Sequence, residues 1–165
     1  MKKAICISAA TIGVIILLVG SFIYIKLNPP LVGGNVGTGD ENHIVLVGVG
    51  NKGFKDIKIT EVLINQNKQP QKLKVQVSNS LKGFMIGDPF DARAQEYGAT
   101  DLESVTIQPK TSPQLQLDKV NNGTATEKDV IYGITIAQDQ PIQTVIIKYR
   151  YLGLSFVKTI SIRDF

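Results

Sequence analysis

The chain has 165 residues, with 18 Lys and Arg against 14 Asp and Glu, one His, one Cys and no Trp. A single Cys excludes an intrachain disulfide, a Cys-based zinc ribbon and an iron–sulfur cluster, and a single His excludes a multi-His metal site. A hydrophobic content of 43% is too high for a disordered chain, and the length suits one domain with a short appendage.

Residues 1–3, Met-Lys-Lys, read as a cytoplasmic tip, and residues 4–26 as a transmembrane helix. From Ala4 to Ile25 no residue is charged, and only Ser8, Thr11, Ser21 and Tyr24 are polar. At roughly 1.5 Å per residue such a run crosses a hydrocarbon core about 30 Å thick. Lys26 stops the run, Asn28-Pro29-Pro30 cannot prolong a helix, and Tyr24 suits the headgroup region.

Lys2, Lys3 and the amino terminus outnumber Lys26. This predicts a single-pass signal-anchor in the cell membrane, amino terminus cytoplasmic and the remainder extracytoplasmic, with the lipid bilayer as partner of residues 4–26. Secretion after cleavage near Val19-Gly20-Ser21 is the alternative. The apolar run continues through Phe22-Ile23-Tyr24-Ile25, which favours an uncleaved anchor. Cys6 is not in a lipoprotein position and reads as a small apolar member of the helix.

Lys2, Lys3 and Lys26 account for three of the 18 cations, which leaves 15 against the 14 acids in residues 27–165. The basic excess is therefore topology, and no nucleic acid is expected as a partner. Residues 27–42 hold several Gly and two Pro and read as a flexible spacer. Residues 43–165 read as one extracytoplasmic domain.

Within that domain the hydrophobic period becomes two. Strand patterns occur at Ile44–Val47, Ile57–Ile64, Leu73–Val77, Val105–Ile107, Leu115–Leu117, Ile131–Ile136, Val145–Tyr151 and Phe156–Ile162. Breaker clusters such as Asn65–Pro70, Gln108–Pro113 and Gln138–Pro141 separate them, and Leu152-Gly153 reads as a hairpin turn in which Gly153 supplies positive φ.

One short crossover helix interrupts the pattern. Asp88 is its expected cap, Pro89 its first residue, Asp91 lies in its first turn and Gly98 ends it; Thr100-Asp101-Leu102-Glu103 resembles a second capping box. The predicted class is all-β: a Greek-key β-sandwich with one short crossover helix, preceded by the transmembrane helix.

The stretch Asp129-Val130-Ile131-Tyr132-Gly133-Ile134 carries an Asp three residues before a Tyr. It resembles the approach to the penultimate strands of immunoglobulin-like and fibronectin-III-like domains. Antibody-type domains place the Asp four residues before the Tyr and a Cys two after it; here Ile134 stands at the Cys position. The resemblance implies an Ig-like sandwich over about residues 43–162 and a structural Tyr132, its ring between the sheets and its hydroxyl on backbone near residues 126–129. The chain is also similar to small single-pass proteins of Gram-positive bacilli with an exported β domain, a resemblance that implies no particular activity.

Gly48-Val49-Gly50-Asn51-Lys52-Gly53 matches the dinucleotide fingerprint in form, but a strand pattern follows where a pyrophosphate needs a helix N-terminus. The glycines read instead as a turn with a bulge near Gly48 or Gly50. His43 beside Asp40 and Glu41 is too sparse a ligand set to fix a metal. Asp88, Asp91, Asp101 and Glu103 are the weak metal candidates, as oxygen ligands for calcium or as an acid pair. No Ser lies in a nucleophile elbow.

Catalytic residues and cofactors are accordingly expected to be none. The expected function is a non-enzymatic, membrane-anchored extracytoplasmic binding module of the cell envelope, with an unknown protein or envelope partner. The alternative is an envelope hydrolase or calcium- or ligand-binding domain using the acidic segment 88–103.

Overall fold

The computed structural model describes residues 2–162, with side chains from Ile12 onward. Two compact units divide the chain, Met1–Pro30 and Leu31–Phe165. The first is a helix, α1 (Lys2–Leu27), of 26 residues. Asn28 closes it by donating its backbone and side-chain N–H groups to the Tyr24 carbonyl, both at 3.0 Å. Among the described residues no helix is long and apolar enough to cross a membrane; in α1 the described side chains begin only at Ile12. Lys2, Lys3 and Cys6 have side chains outside the described part.

The second unit is mainly β, with eight strands in two antiparallel sheets among the described residues. They are β1 (Leu31–Gly39), β2 (Ile44–Asn51), β3 (Lys58–Ile64), β4 (Lys72–Asn79), β5 (Ala99–Thr100), β6 (Val130–Ala137), β7 (Thr144–Tyr151) and β8 (Leu154–Ser161). The larger sheet runs β1-β2-β6-β4-β5 and the smaller β3-β7-β8.

Alternation decides which face of each strand is buried. Val45, Val47 and Val49 stand opposite Ile136, Ile134 and Tyr132, and all six are buried. The smaller sheet answers with Ile59, Val145, Ile147, Tyr149 and Phe156. The Tyr149 ring stacks on Phe156 with centroids 5.3 Å apart. Burial raises the Tyr149 pKa and the Leu31 backbone offsets this in part; among the described residues no group completes a hydrogen bond to the hydroxyl.

Several expectations need correction. The spacer expected at 27–42 is largely strand: residues 31–39 form β1, paired with β2 from Leu31↔Asn51 to Gly39↔Ile44, and the compact unit starts at Leu31 instead of residue 43. The bulge expected at Gly48 or Gly50 lies across from them, in β1 between Gly33 and Val36, while β2 runs straight through both glycines.

Helices are more numerous than expected. Besides α2 (Ala92–Glu96) and the single-turn helix Leu102–Ser104, residues Pro113–Asn121 form α3 where Leu115–Leu117 reads as strand. Ser112 caps α3 through its hydroxyl, Pro113 takes the first turn, and Gly123 at φ +67° follows the end. Gln116 is the buried residue of this helix, and Leu115 and Leu117 are exposed, the reverse of the strand pattern. Val105–Ile107 is a strap instead of a strand, tied to the start of β3 by the Ile57↔Ile107 bridge and by the Lys58 ammonium, which donates to the Val105 carbonyl at 3.4 Å.

Candidate functional site

The acidic segment does not converge. Asp88 pairs with Lys72 and accepts from the Phe90 amide at 2.9 Å; its pKa is lowered chiefly by the Lys72 hydrogen bond. The helix cap is Asp91, three residues later than expected, which accepts from the Arg93 amide at 3.0 Å. Asp101 pairs with Lys74 at 2.8 Å and makes no side-chain cap, and the Glu103 carbonyl accepts from the Lys58 ammonium. Among the described residues no group of three or more His, Cys, Asp or Glu could hold a metal ion. His43 donates from Nδ1 to the Asp40 carbonyl at 2.6 Å, not to a carboxylate.

The glycine fingerprint has a packing explanation. Asn51 is fully buried. Its Nδ2 donates to the carbonyls of Lys55 at 2.7 Å and Ile107 at 3.0 Å, and its Oδ1 accepts from the Gly53 amide at 2.7 Å. Its backbone N–H donates to Thr111 Oγ1 at 3.2 Å, and its carbonyl accepts from the Thr111 amide at 3.1 Å. Such a close approach of the 107–112 strap requires Gly50: a Cβ there would stand 2.0 Å from the Thr111 carbonyl oxygen.

Tyr132 is buried, and burial raises its pKa. Its hydroxyl accepts from the Gln108 amide at 3.4 Å, not from backbone near 126–129. That turn is closed on itself: Asp129 accepts from the Thr126 amide at 2.7 Å and the Thr126 hydroxyl at 2.8 Å, and pairs with Lys119 of α3. Together these hold the Asp129 pKa at about 2, with Lys119 the leading cause. Gly153, at φ +77°, follows Leu152 at φ +50° in the two-residue turn between β7 and β8.

The outer face of the larger sheet carries the site that the sequence pattern does not show. Its floor is glycine: Gly34 and Gly37 of β1, Gly48 of β2 and Gly133 of β6 leave the backbone bare, and other segments lie on it. Pro113 covers Gly34, where a Cβ would come within 2.5 Å of the ring; Ile86 covers Gly37 and Phe84 covers Gly133 in the same way.

Two polar clamps fix these covers. Buried Gln76 of β4 donates to the Met85 carbonyl at 2.7 Å and to Thr135 Oγ1 at 2.8 Å, and accepts from the Met85 amide at 3.0 Å. Gln116 of α3 donates to the Lys110 carbonyl at 3.2 Å and accepts from the Ser80 hydroxyl at 3.2 Å. Between segment 80–86 and α3 a groove of ≈ 630 Å³ remains open over the glycine floor. Its exposed rim carries apolar Ile86, Leu117 and Val120 beside polar Asn35 and Gln114. The groove has no catalytic base or nucleophile pair among its lining residues. It can hold an apolar group of moderate size and orient it with the polar atoms of Asn35, Ser80 and Gln114.

No protein-family model, no curated protein and no solved structure matches this chain.

Proposed function

We propose that this chain is a single-pass membrane protein whose β domain is a non-enzymatic, extracytoplasmic binding module, and that the groove between segment 80–86 and α3 is its contact site. The groove carries the reading: a pre-formed apolar cleft, framed by satisfied hydrogen bonds, is built to receive a group and not to transform one.

Several observations support the anchor. From Ile12 to Leu27 the side chains of α1 are mostly apolar, Ser21 and Tyr24 being the neutral polar members and Lys26 the charged one, and all but half-buried Ile25 are exposed, as suits a lipid-facing helix. The excess of Lys2 and Lys3 over Lys26 supports an inner amino terminus, and the unbroken helix to Leu27 supports an uncleaved anchor over secretion.

The strand order supports an Ig-like Greek key. If β1, β2, β3, β4, β6, β7 and β8 are read as A to G, the sheets become A-B-E-D and C-F-G, the order of constant-type immunoglobulin domains, with β5 added beside D.

Photocrosslinking in intact cells tests the site. The full chain with a benzophenone residue at Leu117 or Val120 is expected to give a discrete adduct, and the same residue at exposed Thr159 of β8 none. No adduct from the groove positions, or an equal pattern from Thr159, would contradict the assignment.

A further inference from the structure

The two ends of the sandwich differ in a way that the groove does not use. At the end where β1 begins, Leu31 stands opposite Asn51, Tyr132 opposite Val49 and Val77, and Tyr151 opposite Leu154. Loops 52–57, 80–83 and 122–129 and the turn Leu152-Gly153 therefore share that end. Each of three of these four carries a large apolar residue in solvent: Phe54 is 68% exposed, Leu81 60% and Leu152 44%. Phe54 is held in place, its amide donating to the Tyr151 hydroxyl at 3.1 Å and its ring edge-on to that of Tyr151 at 5.9 Å.

At the opposite end, among the described residues, loops 40–43, 65–71 and 138–143 expose no large apolar side chain. The charges divide too. At the apolar-tipped end exposed Lys52, Lys55, Lys82, Lys128 and Arg150 outnumber Asp56 and Glu127, and in loop 122–129 the Asp129 carboxylate is paired with Lys119. The far loops carry Asp40, Glu41 and Asp139 against Lys68.

We propose that the β1-start end of the domain docks on the surface of an anionic lipid bilayer. Phe54, Leu81 and Leu152 enter the headgroup region, and Lys52, Lys55 and Arg150 meet lipid phosphates. Apolar side chains at loop tips flanked by cations are the chemistry that an anionic interface binds. The inference rests on the anchored reading of α1, which also supplies the reach. Only residues 28–30 separate α1 from β1, and three residues extend about 10 Å at most, so an anchored helix keeps this end within reach of the headgroups.

The chain contains no Trp, so one introduced Trp reports on one position. Full-length Phe22→Trp, Phe54→Trp, Leu81→Trp and Gln140→Trp variants are reconstituted into phosphatidylglycerol–phosphatidylcholine vesicles with and without brominated acyl chains. Brominated lipid is expected to quench Phe22→Trp, Phe54→Trp and Leu81→Trp and to spare Gln140→Trp. Replacing phosphatidylglycerol by phosphatidylcholine is expected to weaken the quenching at 54 and 81 and leave that at 22 unchanged. Quenching at 22 with full emission at both 54 and 81 would overturn the docking and leave the anchor standing. Full emission at 22 as well would overturn both, and quenching at 140 equal to that at 54 would overturn the proposed orientation.

Discussion

The fully buried carboxamide of Asn51 holds three backbone groups from two segments, the 52–55 loop and the 107 strap. Asn51→Ala removes this partner from the Lys55 carbonyl and the Gly53 amide and leaves the Ile107 carbonyl with the Ile57 amide alone, at roughly 1–3 kcal/mol for each buried group left unpaired, and it also empties a fully buried side-chain site. We expect a loss of about 3 kcal/mol or more in urea denaturation of the detergent-solubilised full chain, followed by β-sheet circular dichroism. A loss within about 0.5 kcal/mol, the range of an ordinary surface change, would contradict the assigned role. Asp129 sets a pH dependence. Its folded pKa, about 2, lies below the ordinary aspartate value of 3.8, so the unfolded chain binds the proton more readily. The stabilisation is complete above the unfolded value and is lost as pH falls through about 2. The urea midpoint of wild type is thus expected to fall toward that of Asp129→Asn as pH drops through this window. Parallel curves for the two proteins would contradict the Lys119–Asp129 pairing.

At the scale of elements, the glycines separate two effects. Gly50 needs to be small because backbone lies on it: Ala there would meet the Thr111 oxygen at 2.0 Å and Ser112 Cα at 2.8 Å, and neither is a side chain that can swing away. Gly123 has nothing within 4 Å but sits at φ +67°. Gly123→Ala is expected to cost about 1–2 kcal/mol, the left-handed penalty alone. Gly50→Ala is expected to cost more than about 3 kcal/mol and to detach the strap that leads into α3. Equal effects in thermal melts of the two variants would show that the strap is not seated on β2.

The same glycines explain what the sequence conceals. Strands with side chains on a buried face, such as Leu73–Val77 and Val145–Tyr151, announce themselves by alternation. In β1 the residues facing the covers are Gly34, Gly37 and Gly39, so the alternation has no side chains to express it and the segment reads as a linker. In α3 the spacing of Leu115 and Leu117 imitates a strand, while the buried residue is a glutamine; Ser112-Pro113 was the available helix signal. The acids of segment 88–103 carry turn and ion-pair duties that sequence spacing cannot tell from ligation. The groove is illegible for a further reason: its floor comes from residues 33–37, 46–49 and 131–133, its covers and its helix from 80–86 and 111–120, and only the fold brings them together.

The whole molecule consists of an N-terminal helix and a two-sheet domain with a groove on the outer face of its larger sheet. The claim on which the rest depends is the location of that domain. Right-side-out membrane vesicles from cells producing the full chain, treated with a non-specific protease, test it directly, with the products read by mass spectrometry. The expected result is digestion beyond about Asn28, with a short peptide containing residues 4–26 retained in the membrane after alkaline carbonate washing. A full-length chain protected until the vesicles are permeabilised, or a chain released by the carbonate wash before any protease is added, would contradict the account.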